Sequence, residues 1–212
     1  MTDRAEPPSR RPLTSRNSRW AKALAVRAVA RGLTPNQISQ LSIAFAALGA
    51  ASYAVSPIGP GVLQWLMLIL AAAACQARLV YNLIDGMVAV EGGQGTKDGP
   101  FWNEAPDRLS DLLLLGGAGI AAGNPALGFL AAALAIATAY IRELGRAEGL
   151  PPDFSGPMAK PQRMAALTIG TVIAAFTAPA WSLSATLWLI IAGTAITAAL
   201  RSRRLIQALD AK

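Results

Sequence analysis

Residues 61–81 read GVLQWLMLILAAAACQARLVY and carry no charged side chain before Arg78. A window of this length and composition is what a helix needs to cross the hydrocarbon core of a bilayer. Of the 212 residues in the chain, 53% are hydrophobic and 15% are charged, against roughly 25% charged residues in a soluble domain. These values exclude a disordered chain and indicate an integral membrane protein.

Apolar segments of this kind recur along the chain. We count six of them, at about 37–55, 61–81, 107–122, 125–141, 164–179 and 183–200. The links between segments one and two, three and four, and five and six hold no charged residue, so six spans place every charged region on one side of the membrane. Basic residues in short loops mark the cytoplasmic side. We therefore predict an all-α integral membrane fold with six transmembrane helices and both termini in the cytoplasm, in a bacterial inner (cytoplasmic) membrane.

The N-terminal region differs from the apolar segments. Residues 1–17 are rich in Pro and Arg and predict a flexible basic tail, while residues 18–33 combine basic and apolar side chains with helical propensity. This pattern is typical of an amphipathic helix that lies at the membrane interface, next to anionic headgroups. A topology signal without a further role explains the same basic residues. We assign residues 34–204 to the six-helix domain and 205–212 to a C-terminal tail.

Several function classes are excluded by composition. The chain has no histidine and a single cysteine, Cys75, which removes Ser-His catalysis, His-ligated zinc and multi-cysteine metal sites. The net charge is +7, but the basic residues are dispersed along membrane-flanking segments instead of forming one patch. We therefore expect membrane lipids, and no nucleic acid, among the partners.

Polar side chains follow the second apolar segment, at a depth where they are costly. If that helix continues, Arg78, Asn82, Asp85 and Ala89 share one face. In the next segment Asn103, Asp107 and Asp111 repeat every four residues, beside Glu104 and Arg108. Ionisable groups at membrane depth normally mark a functional site, and oxygen ligands without His or Cys suit Mg²⁺, Mn²⁺ or Ca²⁺.

A structural explanation of the same residues stays open. Asp85 and Asp107 are also placed to form ion pairs with Arg78 and Arg108, with no ligand involved. Small Gly86 and Ala89 lie beside these acids, and small residues let a ligand or another helix approach the backbone closely.

This stretch resembles the signature of the CDP-alcohol phosphotransferases, Asp-x2-Asp-Gly-x2-Ala-Arg-x8-Gly-x3-Asp-x3-Asp. The chain matches every spacing without a gap, as Asn82-x2-Asp85-Gly86-x2-Ala89-Val90-x8-Gly99-x3-Asn103-x3-Asp107. The family architecture, a six-helix bundle preceded by an interfacial helix, extends the resemblance over about residues 18–200.

The resemblance implies an activity and a set of site residues. The activity is transfer of a substituted phosphate from a CDP-linked alcohol, typically CDP-diacylglycerol, to an acceptor alcohol with release of CMP, in phospholipid biosynthesis. Asp107 would be the general base, and a two-ion site for Mg²⁺ or Mn²⁺ would use Asn82, Asp85, Asn103, Asp107 and Asp111. Substrate contacts would come from Arg78, Gly86, Ala89, Gly99, Glu104 and Arg108. The resemblance also implies a homodimer.

Three signature positions depart from the family. Asn82 and Asn103 replace aspartates, and Val90 replaces the arginine. An Asn oxygen still coordinates a hard cation but brings no charge. Glu104 and Asp111 are close enough in sequence to restore the missing negative charge. Arg78, Lys97 and Arg108 are candidates to replace the phosphate contact of the missing arginine. A catalytically silent relative, which binds nucleotide or lipid or acts as a membrane partner protein, is therefore the alternative function.

A second basic cluster flanks the 147–159 link. Arg142, Arg146, Lys160 and Arg163 lie on either side of it. They suit an acidic acceptor such as a phosphorylated alcohol, and positive-inside anchoring explains them equally well.

Overall fold

The computed structural model describes residues 18–59, 61–91, 93 and 96–212. In that part of the chain every regular element is an α-helix, which confirms the all-α prediction. The helices are α1 (Arg19–Ala30), α2 (Pro35–Val55), α3 (Val62–Glu91), α4 (Gly99–Ala121), α5 (Pro125–Ala147), α6 (Lys160–Phe176) and α7 (Pro179–Asp210). The predicted tail over residues 1–17 lies outside the described residues.

Four of these helices, α2, α3, α5 and α7, are long and apolar enough to cross a membrane. The other two long helices differ for simple reasons. Residues 104–111 of α4 include Glu104, Asp107, Arg108 and Asp111, and α6 has only 17 residues. The structure is therefore that of a membrane protein, and the count of six spans stays a prediction.

Two helices extend beyond their predicted apolar segments. α3 continues past residue 81 to Glu91, and α4 starts at Gly99 rather than near residue 107. The two halves of the signature consequently lie at the end of one helix and the start of the next. α7 runs through residues 205–210, which the sequence assigned to a tail, because this segment consists mostly of good helix formers.

The helix starts follow from local sequence. α2, α4, α5, α6 and α7 each have a proline in the first turn, where its fixed φ suits the helix and its missing N–H is not needed. Thr34 caps α2 through a hydrogen bond from the Gln37 backbone N–H, and the Gln37 side chain accepts from Thr34 in return.

Small residues set the packing of the bundle. Gly119 of α4 faces Gly128 of α5 so closely that a Cβ at Gly128 would lie 2.4 Å from the Leu115 carbonyl oxygen. Only glycine allows two backbones to approach in this way. The buried core around this contact includes Leu68, Leu114, Leu115, Met164, Leu167, Leu183 and Leu187.

α1 packs across the end of α3 that carries the signature. Its buried side is formed by Ala21, Ala25 and Ala28, which cluster with Ile38, Leu83, Ile84, Met87 and Val88. Trp20 and the basic residues of α1 lie on its exposed side. This is the amphipathic helix that the sequence predicts, and its position at a membrane interface stays a prediction.

Candidate active site

A cavity of about 1070 Å³ lies between the end of α3 and the start of α4. Its walls contain the signature positions of both helices: Asn82, Asp85, Gly86, Ala89, Val90, Gly99, Asn103, Glu104 and Asp107. Other parts of the chain complete the walls with Trp20, Asn36, Ser39, Arg142, Phe154 and Lys160. The fold thus brings most of the predicted site residues to one place.

Asp85 has one bonded and one unpaired oxygen. The residue is 4% exposed, and its Oδ2 accepts a hydrogen bond of 2.7 Å from the Ser39 hydroxyl of α2. Its Oδ1 is buried without a hydrogen-bond partner among the described residues. A buried carboxylate oxygen without a donor is destabilising, so this atom marks a place where a cation would be stabilised. No ion pair joins Asp85 to an arginine in the described chain.

Asp107 is held by two cations. Its Oδ1 lies 2.9 Å from Nη2 of Arg78, a fully buried arginine of α3. Its Oδ2 lies 2.5 Å from Nζ of Lys160, the first residue of α6. The same ammonium donates a hydrogen bond to Oδ1 of Asn82. The structural ion pair between Asp107 and Arg78 is therefore formed, while Arg108 pairs elsewhere.

Glu104 joins α4 to α5 at the edge of the cavity. Its Oε2 forms ion pairs with Arg108, one turn along α4, and with Arg142 of α5. Asn103 donates a hydrogen bond of 3.2 Å to the Glu104 Oε1. The Arg142 guanidinium lies 5.1 Å from the ring centre of Phe154, which favours a cation–π contact. Glu104 therefore faces the cavity, with its charge already paired.

Asp111 lies apart from the large cavity. Its Oδ2 accepts a hydrogen bond of 2.7 Å from Nη2 of Arg163, and both side chains are almost fully buried. They line a separate pocket of about 20 Å³ together with Arg108, Arg142, Lys160 and Arg201. Nε and Nη1 of Arg163 and Nη2 of Arg201 have no partner among the described residues. Unpaired guanidinium nitrogens of this kind favour an anion nearby.

Asp98 connects the starts of α2 and α4 beside the cavity. Its Oδ2 accepts hydrogen bonds of 3.1 Å from the Asn36 amide and 3.0 Å from the Trp102 indole N–H. The hydroxyl of Thr96, followed by these two donors, holds the pKa of Asp98 below its usual value. Asn36 and Trp102 both line the cavity, so this contact helps to shape its wall.

The 148–159 link is fastened to α7. Arg204 Nε lies 2.8 Å from Asp153 Oδ2, and Arg201 donates to the carbonyl oxygen of Ser155 at 2.9 Å. Partial burial raises the pKa of Asp153, but the hydroxyl and backbone N–H of Ser155, together with Arg204, outweigh burial and lower the pKa overall. These contacts fix the loop that carries Phe154 to the cavity.

Known proteins similar to this chain include a phosphatidylinositol phosphate synthase. One from Mycolicibacterium smegmatis is 27% identical over 187 residues, which cover 84% of this chain and 79% of the relative. This similarity agrees with the resemblance of residues 82–107 to the CDP-alcohol phosphotransferase signature. No family model matches the sequence, in keeping with the three substituted signature positions.

Solved structures share the fold. The Mycobacterium tuberculosis phosphatidylinositol phosphate synthase in complex with manganese and citrate has a TM-score of 0.73 and 22% identity, over 87% of this chain and 88% of that one. The same enzyme with CDP-DAG bound has a TM-score of 0.71 and 23% identity, over 89% and 94% of the two chains.

The charges at the signature positions differ from those of the CDP-alcohol phosphotransferase pattern. Within the described residues, no group of three or more His, Cys, Asp or Glu side chains is placed to hold a metal ion. Two positions that carry aspartate in the family signature are Asn82 and Asn103, and Lys160 donates to the first of them.

Some residues of the candidate site are not indicated by the sequence pattern. Ser39 was not singled out, although its place one turn after the Thr34 cap puts it on the side of α2 that faces Asp85. Arg201 was missed as well, because it lies within the long apolar helix α7. Lys160 and Arg163 were noted as basic residues, but their partners could not be derived from spacing. Of the predicted set, Arg78 and Arg108 do not line the cavity, and each instead pairs with a carboxylate that does.

Proposed function

We propose that this chain transfers a substituted phosphate from a CDP-linked alcohol to an acceptor alcohol and releases CMP, in phospholipid biosynthesis. The observation that carries the proposal is the convergence of the gapless signature on one cavity, which Asp85 of α3 and Asp107 of α4 both line. The named activity of the Mycolicibacterium smegmatis relative belongs to the same reaction class.

CDP-diacylglycerol is the donor that we propose. The Mycobacterium tuberculosis synthase of the same fold is solved with CDP-DAG bound, and a cavity of about 1070 Å³ exceeds the size of most small-molecule pockets. In the reaction, an oxygen–phosphorus bond forms between the acceptor and the phosphate that carries the lipid. The bond from that phosphorus to the bridging oxygen of CMP breaks, and CMP leaves.

A divalent cation, Mg²⁺ or Mn²⁺, fits the oxygen ligands of the site. The buried, unpaired Oδ1 of Asp85 is the atom that a bound cation would stabilise. The side chains of Asp107, Asn82 and Asn103 provide further oxygen atoms in the same cavity. The manganese complex of the Mycobacterium tuberculosis synthase supports this choice of metal. When bound, the ion neutralises negative charge on the pyrophosphate and the leaving CMP. Asp111, paired with Arg163, is left out of the proposed ligands.

Asp107 is the general base of the proposed reaction. Its carboxylate takes the proton from the acceptor hydroxyl, since it is the last carboxylate of the signature and lines the cavity. Arg78 and Lys160 hold both of its oxygens and thereby orient it. A base needs hydrogen-bond reach to the proton that it removes, and each carboxylate oxygen of Asp107 keeps a second lone pair with which to accept the acceptor hydroxyl.

A phosphorylated alcohol is the acceptor class that the small pocket favours. Arg163 and Arg201 are 3% and 4% exposed, and both keep unpaired nitrogens at this pocket. A phosphate monoester would satisfy these donors by charge-assisted hydrogen bonds. The pocket adjoins Asp107, which puts an acceptor phosphate close to the proposed base.

The silent-relative function is the second candidate. It is favoured by the ion pairs that Asp107 makes with Arg78 and Lys160, because a carboxylate with two cationic partners is also a stable structural element. Under this reading the cavity still binds a nucleotide or lipid, but no CMP is formed.

The arrangement in the membrane is part of the proposal. The chain crosses a bacterial inner membrane six times through α2–α7, with α1 at the cytoplasmic interface and both termini in the cytoplasm. The uncharged ends of the helices, near residues 56–59, 122–124 and 177–178, support this arrangement. A homodimer stays a prediction that the resemblance implies. Light scattering of the detergent-solubilised protein tests this oligomeric state.

The experiment is CMP release from CDP-diacylglycerol by the purified protein in detergent with Mn²⁺. Matched free and phosphorylated alcohols serve as acceptors. We expect CMP only with an acceptor present, and more with phosphorylated alcohols. The Asp85→Asn variant should lose activity, while Asp210→Asn, at an exposed carboxylate far along α7, should keep it. CDP-diacylglycerol binding without CMP from any acceptor would favour the silent relative.

A further inference from the structure

Lys160 connects three helices at the centre of the site. The residue begins α6, and its ammonium donates hydrogen bonds to Oδ1 of Asn82 on α3 and Oδ2 of Asp107 on α4. A lysine ammonium is a compact, single positive charge. It therefore stands between two oxygen atoms of the proposed divalent-ion site.

The asparagine at position 82 suits this ammonium. Its amide oxygen accepts the hydrogen bond, while the amide carries no charge. The CDP-alcohol phosphotransferase signature has a carboxylate at this position and another at position 103. The two asparagines remove two negative charges in total, which is the charge that balances one divalent cation.

The charged side chains that remain at the site balance one another. Asp85 and Asp107 contribute two negative charges, and Arg78 and Lys160 contribute two positive charges, so this group is formally neutral before any ion binds. The neighbouring carboxylates are not available to a second ion. Glu104 is paired with Arg108 and Arg142, and Asp111 is paired with Arg163.

We propose that Lys160 is a resident cation that replaces one divalent ion between Asn82 and Asp107, so that the chain binds a single divalent ion on the side of Asp85. The unpaired Oδ1 of Asp85 is the ligand left for that ion. This inference rests on the divalent-ion site of the proposed function, and it adds the number of ions and the group that replaces the other one.

The test counts bound Mn²⁺ in the full-length protein in detergent, without substrate, by equilibrium dialysis and atomic absorption. The wild type should bind one Mn²⁺ per chain. The double variant Asn82→Asp/Lys160→Met, which restores the carboxylate and removes the ammonium, should bind two. The matched control Asn82→Asp/Lys22→Met should still bind one, because Lys22 is exposed on α1 and does not line the cavity.

The number of Mn²⁺ ions bound by each protein decides for or against the proposal. Two ions, or none, on the wild type would overturn the proposal, and so would a single ion on the Asn82→Asp/Lys160→Met variant. If that variant does not fold, Lys160→Arg keeps a cation at the position and should bind one Mn²⁺, whereas a gain to two would contradict the replacement. Counting ions needs no turnover. A wild type with one ion and no CMP release would therefore refute the proposed activity and leave this inference in place.

Discussion

Arg78 and Asp107 form an ion pair between α3 and α4 in which Nη2 of the arginine lies 2.9 Å from Oδ1 of the carboxylate. The arginine side chain is fully buried, and its Nε and Nη1 have no partner among the described residues. The Asp107 carboxylate is therefore the main anion that offsets the cost of burying the Arg78 guanidinium. This pair is a direct polar contact between the two signature helices.

Removing this arginine should destabilise the fold. In Arg78→Met, Asp107 keeps its ion pair with the Lys160 ammonium but loses the one with the buried arginine, and breaking a buried ion pair costs about 3–5 kcal/mol. We expect the lower end of that range, because the second cation remains. Chemical unfolding in detergent measures the loss, with Arg27→Met on the exposed side of α1 as the matched control. An unchanged unfolding midpoint for Arg78→Met would show that the pair is not structural.

Replacing the proposed base should stop the reaction. Asp107→Asn cannot accept the acceptor proton at neutral pH, so CMP release should fall by roughly 10²–10⁴-fold. CDP-diacylglycerol binding and the folded state serve as controls, because the substitution also removes one partner of Arg78 and Lys160. Near-normal turnover would rule out Asp107 and make Glu104 or Asp111 the candidate base.

The contact between α4 and α5 should not tolerate a methyl group. In Gly128→Ala the new Cβ would lie 2.4 Å from the Leu115 carbonyl oxygen, a backbone atom that cannot rotate away. Overpacking of this kind costs about 1–3 kcal/mol, which thermal unfolding in detergent detects. Gly145→Ala on the same helix is the control, since its Cβ would meet only Leu205 Cδ1 at 3.4 Å. Equal stabilities of the two variants would contradict the close approach.

The loop that carries Phe154 should loosen in acid. Because the folded-state pKa of Asp153 is below its ordinary value of 3.8, its contacts contribute stability above that pH, and the contribution is lost as the pH falls through the folded pKa. Limited proteolysis of the 148–159 loop between pH 6 and pH 3 should therefore accelerate below about pH 4 in the wild type. Asp153→Asn should show faster cleavage at pH 6 already, with a smaller pH dependence. A parallel pH response in both proteins would exclude Asp153 as the cause.

The six-span topology places Lys212 and Gly59 on opposite sides of the membrane. Single cysteines introduced at these two positions, in a Cys75→Ser background, should differ in labelling by an impermeant maleimide added to intact cells. We expect the residue 59 site to react and the residue 212 site to react only after permeabilisation. Labelling of both sites in intact cells, or of neither, would refute the topology.

The sequence by itself determined which residues share a helix face. Hydrophobic windows located the long helices, and the spacing of Asn82, Asp85 and Ala89 placed them together on α3, because the helical period is a local property. The same reasoning placed the two signature halves on consecutive helices. It did not find the full extent of α3 and α7, since both helices continue into polar sequence where an apolar window ends.

Only the tertiary structure decided how these faces meet. Glu104 and Asp111 were equal candidates by spacing, yet Glu104 lines the large cavity and Asp111 turns to Arg163. The partners of Asp85 and Asp107, Ser39 and Lys160, come from 46 and 53 residues away along the chain. Spacing along one helix does not specify how that helix is rotated against its neighbours, because the rotation is set by the packing of the whole bundle. The positions of these distant polar groups follow from that packing.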